Sequence, residues 1–212
     1  MEANAAMLIK TLPVGQLETN CYIVTDETSH ACVIIDPGAE SSTILDYIES
    51  NKLNPEAIFL THGHFDHIMA LEAILETIGA PAYINDRDIN KNGGRGQLKL
   101  NDNAGIHRYS EGDIIIVSGL EFIVMETPGH SPGSVTLKCD RVLFTGDTLF
   151  RDGCGRTDLG GNAGELTESL KRLASLEGDY EVYPGHAGST TMQRERSFNY
   201  YMKHAVGEKL EK

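Results

Sequence analysis

The chain has 212 residues and a formal net charge of −13, from 31 acidic and 18 basic side chains. That length suits one domain with a substantial core, and that charge argues against nucleic acid or an anionic membrane as a main partner, since phosphate binders carry basic surfaces. Residues Met1 to Ala6 lack a basic start and a long apolar region, no apolar run is long enough to span a bilayer, and Cys21, Cys32, Cys139 and Cys154 lie far apart. We therefore expect a cytoplasmic protein with reduced thiols, acting on a small-molecule substrate, its oligomeric state left open.

In chain order, strand-like runs fall at Met7–Leu12, Cys21–Thr25 and Ala31–Asp36, separated by turn formers at Gly15, Asn20 and 26–29. They predict a meander. The third run stops at Ile35-Asp36-Pro37-Gly38, and a helix follows with Ile44, Leu45 and Ile48 on one face. Next comes a strand at Ala57–Leu60, a histidine-rich loop, and a helix from about Ile68 that buries Leu71, Ile74, Leu75 and Ile78 and ends at Gly79 and Pro81. Residues 85–105 turn polar and glycine-rich, which predicts a surface excursion around a short helix, of the kind that borders active sites. Ile114–Val117 and Leu120–Met125 form a hairpin through Ser118-Gly119. A second hairpin joins Val135–Lys138 to Val142–Phe144 through Asp140-Arg141. A loop at 146–164 leads to a helix with Leu166, Leu170, Leu173 and Ala174, then a strand at Tyr180–Tyr183 and a last helix from about Gln193 to Lys209. Two rounds of strands followed by helices predict a single α/β domain over 1–212, a four-layer αββα sandwich.

The chemistry concentrates in Thr61-His62-Gly63-His64-Phe65-Asp66-His67. His62 and His64 are two apart, so on an extended segment they point to the same side and can share one ion. Asp66 and His67 come at the turn into the helix and reach a different point, which suggests a second metal. His130, Asp147 and His186 each follow a strand at a turn, with Gly or Pro alongside; singly, each would pass for a turn residue. Together the seven make five histidines and two carboxylates, which suits two divalent ions such as zinc, iron or manganese. His30, His107 and His204 have no comparable context and read as surface residues.

This pattern resembles the metallo-β-lactamase-fold superfamily, whose signature is His-x-His-x-Asp-His followed by a distant His, Asp and His. The resemblance extends from Gly15–Tyr22 through Asp36-Pro37-Gly38 to Tyr183-Pro184-Gly185-His186. Within the superfamily the chain looks like the small glyoxalase II-like (hydroxyacylglutathione hydrolase-like) enzymes, while Gly153–Asp158 also resembles persulfide dioxygenases. The resemblance implies that His62, His64 and His130 hold one ion, that Asp66, His67 and His186 hold the other, and that Asp147 bridges them. It gives Asp36 the part of a buried aspartate orienting the ligand loop, beside its alternative as an Asp-Pro-Gly turn residue.

Two such ions about 4 Å apart can share a water and lower its pKa toward roughly 7. Asp66 and Asp147 are then the carboxylates closest to the reaction, and no serine or cysteine nucleophile is needed; Cys154 reads as a loop thiol. Arg156 is a candidate for holding a substrate carboxylate, the alternative being a surface arginine paired with Asp158. The larger glyoxalase II enzymes carry a C-terminal helical domain, whereas 26 residues follow His186, which leaves glutathione specificity open. The added domains of the RNA-processing members are not evident, and Asp147 resembles the thioesterase branch rather than the lactamases.

The expected function is hydrolysis of a small thioester by a two-metal centre, with zinc the expected metal and iron or manganese as alternatives. The alternatives are an iron-dependent persulfide dioxygenase on His62, His130 and Asp147, hydrolysis of a lactone or other ester, and a metal-binding module without catalysis. The segment Pro184–Thr191 looks more like the small hydrolases.

Overall fold

The computed structural model describes residues 7–89 and 105–207, and its longer strands form two six-stranded sheets. The first holds β1 (Met7–Val14), β2 (Thr19–Asp26), β3 (Ala31–Ile35), β4 (Asn54–Phe59), β5 (Ala82–Asn85) and β6 (Ile106–Tyr109) in that spatial order, antiparallel as far as β3 and parallel from there. The second begins with β7 (Ile114–Val117), β8 (Leu120–Glu126), β9 (Val135–Cys139) and β10 (Val142–Gly146), all antiparallel. A small hairpin follows, β11 (Leu149–Phe150) with β12 (Gly153–Cys154), and the sheet is completed by β13 (Glu181–Pro184), parallel to β10, and β14 (Thr190–Thr191). The helices are α1 (Ser41–Ser50), α2 (Phe65–Ile68), α3 (Leu71–Ile78), α4 (Ala163–Ala174), α5 (Met192–Phe198) and α6 (Tyr200–Ala205).

The period-two alternation of the strands sorts the core into three layers. Tyr22, Val24, Val33 and Ile35 face the second sheet and meet Phe122, Leu137 and Phe144. The residues between them, Ile23, Cys32 and Ile34, face outward onto Ile44 and Ile48 of α1 and Leu71 and Ile74 of α3. On the far side, Leu143 and Val182 pack with Leu166, Leu170 and Leu173 of α4 and with Met192 and Met202 of α5 and α6. Helix, sheet, sheet, helix is the expected four-layer order. Each large side chain so buried contributes about 1.5–3 kcal/mol, so the strand ends that carry the polar loops are held from both faces.

Several elements differ from the sequence reading. The short strands β5 and β6 were not anticipated, and the expected excursion at 85–105 begins inside β5 and passes through a 3-10 turn at Asp86–Asp88; residues 90–104 lie outside the described part. The helix expected from Ile68 is two pieces, α2 and α3, because the Ala70 amide donates to Pro37 O (3.0 Å). The last helix is broken at Asn199, whose backbone is extended (φ −70°, ψ 115°) and whose buried side chain accepts from the amides of Tyr201 and Met202 while donating to Gly153 O and Glu195 Oε2. That side chain starts a second helix and ties it to the β11–β12 hairpin. The turn at Ser118-Gly119 takes positive φ at both residues (45° and 89°), as a tight hairpin requires.

Candidate metal centre

Five chain segments deliver polar side chains to one place. β4 runs through Leu60 and Thr61 into His62 and His64; α2 then presents Asp66 and His67 one turn on. Beyond β8 lies His130, β10 ends just before Asp147, and β13 ends just before His186. Three sets of side chains bring ligand-capable atoms within 4.8 Å of one another: His62, His64 and His130; Asp66, His67 and His186; and His62, His67 and Asp147. The first two are the triads expected for the two ions. In the third, His62 from one triad and His67 from the other meet at Asp147.

Hydrogen bonding settles which ring nitrogen of most histidines faces inward. His67 Nδ1 donates to Asp36 Oδ2 (3.0 Å), His130 Nδ1 to Arg156 O (2.7 Å) and His186 Nδ1 to Leu17 O (3.0 Å). His62 Nδ1 lies 3.1 Å from Thr61 Oγ1, whose own proton goes to Asp36 Oδ2 (2.6 Å), so the hydroxyl accepts from the imidazole. In each case the neutral ring keeps its lone pair on Nε2, the arrangement that fixes a metal-ligating histidine. His64 is the exception, with Nδ1 2.8 Å from His130 Nε2. Among the described residues, the buried atoms His62 Nε2, His64 Nε2, His67 Nε2 and Asp147 Oδ1 have no hydrogen-bond partner. Leaving one such atom unsatisfied costs about 1–3 kcal/mol. His64 turns Nδ1 rather than Nε2 toward His130, and the other three, gathered in one cluster, are a deficit that a bound divalent cation fits and a solvated loop does not.

Asp147 stands between the triads. Its Oδ1 is 3.4 Å from His67 Nε2, and its Oδ2 is 3.4 Å from His130 Nε2 and 3.6 Å from His186 Nε2. Asp66 Oδ2 lies 3.2 Å from His186 Nε2 and 3.6 Å from His67 Nε2 and accepts from Thr19 Oγ1. Burial pushes the Asp147 carboxyl up, but His67, His130 and His186 outweigh it and hold the group below its ordinary value. Burial likewise pulls His67 down, and Asp147 with Asp36 more than reverses this, so its pKa stands well above the usual imidazole range. His186 is also raised, burial opposing it while Asp66 and Asp147 prevail. His62 and His64 go the other way, lowered first by burial and then by neighbouring imidazoles. The two triads thus differ in charge character: one is three imidazoles, the other contains a carboxylate and more basic rings.

The support around these groups is only partly visible in the sequence. Asp36, 1% exposed, accepts from Thr61 N (2.7 Å), Thr61 Oγ1 and His67 Nδ1; its contacts fit the orienting part rather than a plain turn. Asn20 donates to Pro184 O and Ala187 O, and Tyr22 to Pro184 O, which pins the loop carrying His186. Asp88 joins the His62–His64 loop to the His130 loop, and nothing in its local pattern announced this. Gly155 packs where a Cβ would lie 1.8 Å from Asp147 O and 3.0 Å from His130 Nδ1, so only glycine permits this approach. The Arg156 guanidinium, expected at a substrate carboxylate, forks onto Asp158 (2.6 and 2.5 Å) with its side chain 63% exposed; its backbone carbonyl is what reaches the centre, through His130. Burial lifts the Cys154 thiol to about 11, in keeping with a packing role. His30, His107 and His204 are exposed, as expected.

A sequence profile described as the metallo-beta-lactamase superfamily matches residues 14–186. The chain belongs to the metallo-beta-lactamase superfamily. It is 32% identical to a Haemophilus influenzae protein named hydroxyacylglutathione hydrolase GloC, over 92% of this chain and 98% of that one. Among solved structures, the B3 metallo-beta-lactamase BLEG-1 superposes with a TM-score of 0.83 at 31% identity, covering 92% of this chain and 99% of its own. ETHE1 from Myxococcus xanthus gives 0.79 at 30%, with 97% and 93% covered. A third structure, at 0.79 and 34% with 91% and 99% covered, is of a di-iron-bound form. Members of this superfamily are mostly hydrolytic metalloenzymes, and a metallo-hydrolase is the general class that the comparisons support for this chain.

Proposed function

We propose that the protein is a two-metal hydrolase of a small thioester such as an acylglutathione, acting in the cytoplasm. The observation that carries this reading is Asp147, a carboxylate within 3.6 Å of imidazoles from both triads. His62, His64 and His130 would hold one ion, Asp66, His67 and His186 the other, and Asp147 would touch both; zinc is our choice, with iron or manganese suiting the same donors. When bound, such ions supply Lewis acidity and a water of lowered pKa. The chain's own contribution is preorganisation: the Nδ1 hydrogen bonds hold four rings with Nε2 inward, and burial of His62, His64, His67 and His130 excludes bulk water from that side. Access is from the side of His186 and Asp66, whose side chains are 25% and 15% exposed. The exposed Phe65 precedes Asp66, the exposed Leu17 meets His186 Nδ1 through its carbonyl, and Phe150 sets its ring edge-on to His186 at 6.1 Å. An apolar mouth suits the acyl part of a small thioester.

One observation favours a second reading, an iron-dependent persulfide dioxygenase. His62, His67 and Asp147 form a compact two-histidine, one-carboxylate set, the donor type of mononuclear iron oxygenases; the sequence had pointed to His62, His130 and Asp147 for that role. The test of the first reading is S-lactoylglutathione cleavage by zinc-reconstituted protein against the same preparation stripped by chelator. Cleavage that returns with two ions per chain is expected. A preparation holding two ions and cleaving no thioester would overturn it.

A further inference from the structure

Asp88 is not a ligand in either triad, yet it is 1% exposed and its carboxylate is fully engaged. Oδ2 accepts from the amide of Gly63 (2.8 Å) and from Ser131 Oγ (2.6 Å), and Oδ1 accepts from the amide of Gly133 (2.6 Å). Gly63 lies between His62 and His64, and Ser131 follows His130. One carboxylate therefore grips both loops that supply the all-histidine triad and neither loop end that supplies His186. The fit is close on both sides: a Cβ on Gly63 would sit 2.7 Å from Asp88 O, and one on Gly133 would sit 2.7 Å from Asp88 N. Asp36 makes a comparable set of contacts, to His67 directly and to Thr61, whose hydroxyl faces His62 Nδ1.

We infer that Asp88 is a positioning residue that sets occupancy of the His62–His64–His130 triad alone, whereas Asp36 reaches both triads, His67 directly and His62 through Thr61. The inference rests on assigning each triad to one ion. Its physical basis is that two amides and a hydroxyl converge on one acceptor-only group. An asparagine offers one acceptor oxygen and turns an NH2 group toward at least one of the three donors, so it cannot keep the whole set and loosens the grip on these loops. Outer partners of this kind are worth about 10–100-fold in metal affinity. A residue that merely stabilised the fold would weaken both sites alike.

The test is a mutant cycle read by zinc affinity, measured by competition with a chromophoric chelator, with no substrate involved. His186→Ala leaves the all-histidine triad intact, and His64→Ala leaves the other. Asp88→Asn should weaken zinc about 10–100-fold in the first background and less than about twofold in the second. Equal weakening in both, or no change in the first, overturns the inference. If Asp88→Asn fails to fold by circular dichroism, Ser131→Ala, which removes one of the three donors, carries the test: a several-fold loss confined to the His186→Ala background supports the inference, and any other pattern overturns it. Because only zinc is measured, the outcome is independent of whether the substrate is a thioester.

Discussion

Replacing Asp147 by alanine separates the role of a bridging ligand from that of a structural residue. Among the described residues its side chain accepts no backbone hydrogen bond; its neighbours are the three imidazole nitrogens at 3.4, 3.4 and 3.6 Å, and Oδ1 is unpartnered. In the metal-free protein, loss of attraction to those rings is offset by removal of a buried, unsatisfied oxygen. The thermal midpoint should move by no more than about 4 °C, the equivalent of about 1 kcal/mol for a chain of this size. With metal present the balance differs. A hundredfold loss of affinity for one ion removes about 2.7 kcal/mol of ligand-linked stability at saturating metal, so the stabilisation gained on adding zinc should shrink by roughly 5–10 °C. Losing one ion's share of charge stabilisation, about 3–4 kcal/mol, should lower kcat/KM by about 10²–10³-fold. Metal quantification, thermal scans with and without zinc, and thioester turnover on one preparation check all three. A variant that keeps two ions per chain and near-normal turnover would refute the reasoning.

Arg156→Ala should leave kcat unchanged and raise KM for an anionic thioester less than about threefold, since the guanidinium is engaged by Asp158 in solvent, where such pairs are worth about 0–1 kcal/mol. A larger rise, confined to anionic substrates, would show that the fork leaves Asp158 for substrate. Metal loss on acidification should be ordered: a ligating ring must shed its proton, and His67 and His186 hold theirs to higher pH than His62 and His64 do. Titration from about pH 8 to pH 5 through the ordinary imidazole range should release the ion of Asp66, His67 and His186 first; simultaneous release or the reverse order contradicts the assignment. In the metal-free protein the raised pKa values act in the opposite sense, since pairing of His67 with Asp147 and Asp36 stabilises the fold below about pH 6.5 and that contribution fades as pH rises through the elevated pKa.

The candidate ligands were legible because metal chemistry leaves dense, local marks: His62, His64, Asp66 and His67 lie within six residues, and His130, Asp147 and His186 each sit beside glycine at a strand end. The sandwich was legible from two rounds of strands followed by helices, and the structure sorts the inward and outward residues of β2, β3, β8 and β10 into different core layers. Hidden features depend on contacts between distant segments. Ala82–Asn85 is too short to show a period, and it is a strand because β4 and β6 flank it. The breaks after Ile68 and at Asn199 come from a Pro37 carbonyl and from the β11–β12 hairpin, neither of which marks the helix sequence. Asp88 sits in a polar stretch, and its partners lie 25, 43 and 45 residues away. For Arg156 the sequence left two readings, a substrate carboxylate or a pair with Asp158; the side chain is paired with Asp158, and the backbone carbonyl, which no sequence pattern marks, accepts from His130.

The most direct test of the two-metal hydrolase is made on one metal-quantified preparation, assayed for S-lactoylglutathione cleavage under argon and for oxygen uptake with glutathione persulfide. Hydrolysis needs both ions and no oxygen, whereas oxygenation needs open positions on one redox-active iron. The account predicts thioester cleavage that survives removal of oxygen, with about two divalent ions per chain, and that collapses when either His62 or His186 is replaced. Robust oxygen uptake with about one iron per chain, and no thioester cleavage under argon, would contradict it.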